Sequence, residues 1–121
     1  MTRQRRQQLI SKPININFIQ SSNQCFYFVE SNIVEKGDTI VAYNGDIVVG
    51  YRKWNGQHTD IPVMGFDSDV SESNGYMSSG DIPSFKLLKS SGKFINLNGE
   101  IPSWQNVGVH HITLELDKQE R

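Results

Sequence analysis

The chain has 121 residues, with 12 Lys and Arg against 13 Asp and Glu for a formal net charge of -1, and 36% of it is hydrophobic. That length supports one domain with a real core and excludes two sizeable ones. The near-neutral balance argues against specific nucleic-acid binding, and no apolar run approaches the ~18 residues of a membrane span.

Residues 1–12 carry Arg3, Arg5, Arg6 and Lys12 among Gln and Thr. With little to bury, they read as a flexible basic N-terminal tail. They lack the apolar h-region of a secretory leader, so no export address is expected in this chain. From Pro13 the chain is cut by Gly, Pro, Ser and Asn into short runs without a 3.6-residue period. Strands are expected near 14–20, 24–30, 38–44, 47–54, 58–65, 82–89, 93–97 and 108–116. About eight short strands predict an all-β fold, a single antiparallel β-sandwich of immunoglobulin-like or jelly-roll type, over residues 13–117. Residues 118–121 read as a C-terminal tail.

Within the second predicted strand, Cys25 precedes Phe26, Tyr27 and Phe28. As the one cysteine it has no internal disulfide partner, and it reads as a small packed hydrophobe. The next stretch, GDTIVAYNGDIVVGYRKWNGQHTDIPVMG at 37–65, holds two Asn-Gly pairs flanked by β-branched and aromatic residues. Asn-Gly accepts the positive φ values of a type I′ turn, so the stretch predicts a three-stranded meander. Two-residue loops would put Ile40, Ala42, Ile47, Val49, Tyr51 and Met64 on one face and Val41, Tyr43, Val48, Trp54, Ile61 and Val63 on the other. The Ile40, Ala42, Val49 face is expected in the core. Because both faces are apolar near mid-strand, a cover is expected on each.

Two groups of residues are candidate sites. Trp54 stands beside Asn55-Gly56 at a hairpin lip with Tyr51 and His58 near it, which suits a platform for stacking on a glycan, although large aromatics more often bury area. The long connection 66–81, FDSDVSESNGYMSSGD, brings Asp67, Asp69, Glu72 and Asp81, carboxylates of the type that bind Ca²⁺. Their spacing is not that of an EF-hand, and the bland reading is that they are solvated or cap turns. Trp104, between Ser103 and Gln105, reads as a loop residue folded onto the core. Adjacent His110 and His111 point to opposite faces of a strand and so do not converge on one metal. No phosphate loop, nucleophile elbow or zinc spacing occurs, so no enzyme is expected and no cofactor is required beyond the candidate Ca²⁺.

The segments FYFVES (26–31), GDTIVAYNGDIVVG (37–50), DIPVMGFD (60–67), GYMSSGDIPSFK (75–86) and IPSWQN (101–106) resemble a β-sandwich module. That module recurs in large surface-exposed and secreted proteins of marine and Bacteroidetes-type bacteria. The resemblance spans roughly residues 24–116. It implies a non-enzymatic extracellular module, structural, adhesive or ligand-binding, with no catalytic residues to carry over. The expected partners are protein neighbours in a cell-surface assembly. The alternatives are a virion structural protein, such as a capsid decoration or fibre subunit, and a carbohydrate-binding module.

Overall fold

The computed structural model describes residues 16–56 and 58–116; the predicted tails 1–12 and 118–121 lie outside the described residues. Eight strands follow in order: β1 (Gln24–Glu30), β2 (Thr39–Asn44), β3 (Ile47–Lys53), β4 (His58–Met64), β5 (Ser84–Leu88), β6 (Phe94–Asn98), β7 (Val109–Thr113) and β8 (Glu115–Leu116). They form two sheets, one ordered β4-β1-β7 and the other β3-β2-β5-β6-β8. The fold is an all-β sandwich, as its alternating short runs predict. No helix among the described residues is long and apolar enough to cross a membrane.

The core lies between the sheets. Cys25, Tyr27 and Val29 of β1 and Ile61 and Val63 of β4 are fully buried from one side; Ile40, Ala42 and Val49 meet them from the other, with Phe85 and Leu87. Tyr27 packs edge-on against Phe85 with ring centroids 5.7 Å apart, and its hydroxyl donates to the Pro102 carbonyl at 2.8 Å. That bond satisfies the one polar atom of an otherwise apolar payload. Trp104 folds onto the core as expected, 3% exposed, with its indole N–H donating to the Val63 carbonyl at 2.9 Å.

Several expectations are corrected. Residues 16–20 of the predicted strand 14–20 form no strand. They run as a strap whose Phe18 ring stands edge-on to Tyr51 at 5.3 Å and whose Ile19 amide donates to the Tyr76 hydroxyl at 2.8 Å. Phe18 thus supplies part of the second cover that the two-faced apolar pattern demanded. The three-stranded meander is a two-stranded hairpin, because β4 leaves β3 and pairs with β1 in the other sheet, Cys25 opposite Val63 and Tyr27 opposite Ile61. Trp54, Ile61 and Val63 therefore face the same core as Ile40, Ala42 and Val49, and not the opposite side of one sheet.

The β2–β3 turn is also different in kind. Asn44 pairs with Ile47, leaving Gly45-Asp46 as the two-residue loop, and only Gly45 has positive φ, at 65°. Positive φ at the first central position alone belongs to a type II′ turn. Beyond it, Ala42 pairs with Gly50 and Tyr43 with Val48, so Val49 is an extra, bulged residue. The bulge moves Tyr51 from the expected core face to the outer face beside Val41. Finally, the sandwich is not wholly antiparallel: β1 and β7 run parallel, Phe26 opposite Val109 through Glu30 opposite Thr113.

The two sheets meet at both flanks. On one, β3 and β4 touch, with the Arg52 Nε donating to the Asp60 carbonyl at 3.1 Å. On the other, the expected single strand 108–116 breaks at Leu114, which is 1% exposed, and crosses from the end of β7 in one sheet to β8 in the other. Such sheet-switching strands make the corners of sandwiches.

Candidate functional site

Neither predicted site forms as drawn. Trp54 is 2% exposed and sits in the core, so it offers no platform to a sugar. Tyr51 is half-buried under Phe18, and the backbone of His58 lies in β4 opposite Glu30. The turn after β3 is a passage between sheets and not a hairpin lip, which is why the tryptophan beside it points inward.

The connection 66–81 is a packed loop containing a 3₁₀ turn at Ser71–Ser73. Its organiser is Ser73, fully buried, whose hydroxyl accepts from the Asp67 amide at 2.8 Å and lies 2.7 Å from the Val70 carbonyl. Asp67 accepts from the Ser22 hydroxyl at 2.7 Å and from the Asp69 amide at 2.9 Å, contacts that hold its carboxyl below the usual range, the Ser22 bond most of all. Asp81 accepts from the Ser78 amide at 3.0 Å. These are turn-capping bonds. Among the described residues no three His, Cys, Asp or Glu side chains form a group that could hold a metal ion, so Asp67, Asp69, Glu72 and Asp81 do not converge. Melting the protein in Ca²⁺ and then in EDTA is expected to give the same temperature. A site bound only in the native state would separate the two curves, by about 2.7 kcal/mol at a hundredfold excess over Kd.

Two other polar centres are structural. Burial pushes the Asp38 carboxyl up, but the Glu35 amide at 3.0 Å and the Lys89 ammonium at 3.0 Å outweigh it and hold the group below its ordinary value. A depressed carboxyl stabilises the fold above the unfolded value, near pH 4, and loses that contribution as pH falls through the folded one. Asp38→Asn should therefore flatten the acid limb of a plot of melting temperature against pH, and because Asp38 also holds Lys89 above its ordinary value, it should soften the fall at the far alkaline end as well. Burial likewise raises the Cys25 thiol against weaker opposing hydrogen bonds, which keeps it protonated and inert.

The distinctive surface is the outer side of β1 and β7. In β1 Cys25, Tyr27 and Val29 point inward, so Phe26, Phe28 and Glu30 point out. The parallel register sets Val109 beside Phe26 and His111 beside Phe28, and the Phe28 and His111 rings stack with centroids 5.2 Å apart. Val109 is 58% exposed and Val107 is 83% exposed. A cleft of about 340 Å³ lies among Phe26, Asn106, Val107 and Val109, and another of about 480 Å³ among Phe28, Glu30, His111 and Thr113.

Val107 is held there against its preference. Its φ is 61°, the one positive value on a non-glycine residue among the described residues. For a β-branched side chain this is a genuine outlier. The turn is pinned from both sides: the Gly108 amide donates to the Gln105 carbonyl at 3.0 Å, the Val107 amide to the Gln24 carbonyl at 2.8 Å, and the Gln24 amide to the Asn106 side chain at 2.9 Å. β7 is also the end strand of its sheet, bonded to β1 alone among the described strands. The sequence holds one trace of this surface: FYFV is apolar at consecutive positions, so one of its two faces had to meet something besides the core. No family model, curated protein or solved structure matches the chain.

Proposed function

We propose that this chain is a non-catalytic β-sandwich module that acts by binding protein neighbours through the outer face and open edge of β1 and β7. The observation that carries the reading is Val107. A β-branched residue at positive φ costs about 1–3 kcal/mol, and such strain tends to collect at functional sites. Here it presents an apolar side chain to solvent beside Val109 and Phe26, on a sheet edge suited to further pairing. The likeness to modules of surface-exposed bacterial proteins supports a structural or adhesive role outside the cell.

Two variants test this. Val107→Gly should raise stability by about 1 kcal/mol in a denaturant titration, since glycine holds that backbone without strain. Val107→Ser/Val109→Ser should fold normally and lose concentration-dependent association in sedimentation velocity. A double variant that associates as the wild type does would overturn the reading.

A further inference from the structure

We propose that the basic segment Arg3–Lys12 of one copy docks in the cleft along the open edge of β7 on a second copy, so that copies join head to tail. The inference rests on the reading of the β1–β7 surface as the binding face, and it names the partner.

The first support is the distribution of charge. Residues 1–15 hold Arg3, Arg5, Arg6 and Lys12 and no acidic residue, for +4. The described residues hold 6 Lys and Arg against 11 Asp and Glu, for -5, and residues 117–121 cancel, which returns the overall -1. A near-neutral chain is therefore a cationic arm joined to an anionic domain. Complementary fields of this kind steer association and set its orientation.

The second is the acceptor. Beside the open edge of β7 lies a cleft of about 550 Å³ lined by Asn98, Glu100, His111, Thr113 and Glu115. Its two glutamates, Glu100 and Glu115, are exposed. The Phe26 amide bonds to the Gly108 carbonyl and the Leu114 amide to the Glu30 carbonyl, so even-numbered backbone groups of β7 face β1. By alternation, the N–H and C=O of Val109, His111 and Thr113 face away from β1, and His111 and Thr113 border the cleft. An incoming segment would meet main-chain groups of this edge and two carboxylates for its arginines. This is strand addition at a sheet edge with charges to fix the register.

The third is position. The described chain begins beside β3, where Phe18 packs on Tyr51, whereas Glu115 lies on β8 at the other end of the same sheet. Donor and acceptor at opposite ends make a heterologous contact, which propagates from copy to copy. The fifteen residues before Ile16 extend up to about 50 Å, which suffices to reach a neighbour.

A charge swap on the full chain tests the proposal by sedimentation velocity at low and high salt. Wild type should associate, and less so as salt rises. Arg3→Glu/Arg5→Glu/Arg6→Glu and Glu100→Lys/Glu115→Lys should each weaken association by about tenfold or more. Each changes only exposed or terminal charges, and matching thermal melts of the two variants check that both remain folded. An equimolar mixture should restore association, because each variant's arm then faces a cleft of opposite sign. A mixture as weak as its components would overturn the proposal. If the charge variants associate like wild type while Val107→Ser/Val109→Ser does not, the binding face stands and the arm is not its ligand. A wild type that stays monomeric at millimolar protein and low salt overturns the head-to-tail contact outright.

Discussion

Gly50→Ala is expected to destabilise the domain by about 3 kcal/mol or more, the upper end of what overpacking costs. A Cβ built on Gly50 would stand 1.8 Å from the Pro62 carbonyl oxygen and 3.0 Å from its carbon. The obstacle is backbone, which has no rotamer to yield. Gly50 lies in β3 and Pro62 in β4, so the added methyl would force apart the flank where the two sheets touch. The same residue belongs to the bulge opposite Ala42, so relief by shifting β3 would disturb its register with β2. Chemical denaturation of the variant measures the loss. A midpoint close to wild type would mean that β3 and β4 do not approach as described.

Trp54→Ala is expected to cost about 3–5 kcal/mol, the range for removing a large aromatic from a core. The ring is among the largest fully buried side chains, and the Trp54 amide donates to the Asp38 carbonyl at 2.8 Å, which anchors the end of β3 over the turn before β2. Trp54→Phe should cost far less than alanine for a specific reason. The indole N–H is buried and meets no acceptor among the described residues. Phenylalanine removes that unsatisfied donor, offsetting part of the lost volume. A Trp54→Ala variant of wild-type stability would return this residue to the surface and revive the platform for a glycan.

The strands were legible where composition and turn residues agreed. Seven of the eight expected runs contain strands, because short β-rich segments separated by Gly, Asn and Pro leave little alternative. The Ile40, Ala42, Val49 face is core as expected, although the polar residues do not mark it: Arg52 pairs with Ile40 and Thr59 is itself buried. Sheet membership was not. Nothing local distinguishes Asn44-Gly45, which turns a hairpin, from Asn55-Gly56, which carries the chain to the other sheet. That difference is made by β1, whose residues pair with β4 across 28 to 40 positions. Tyr51 was misassigned because a bulge inserts one residue into a period of two, and period alone cannot reveal an insertion.

The candidate sites failed for related reasons. Trp54 read as a lip residue only while β3 and β4 were taken as neighbours in one meander. The carboxylates of 66–81 were near one another in sequence, but the loop is organised by Ser73 and by its bridge from Gly65 to Met77, which turn Asp67 and Asp81 toward local amides. The β7 edge was invisible because its character comes from topology. Val109 and His111 look like any alternating strand until the parallel pairing with β1 leaves them at the end of a three-stranded sheet.

The central proposal is that this edge is the surface through which the domain meets its neighbours. The most direct measurement follows the amide resonances of the full chain as protein concentration is raised at low salt. Val107, Val109 and His111 should shift and broaden with concentration, the change should reverse with salt, and the turns at Asn55-Gly56 and 66–81 should stay fixed. Perturbations centred on those turns, with Val107, Val109 and His111 unmoved, would contradict it.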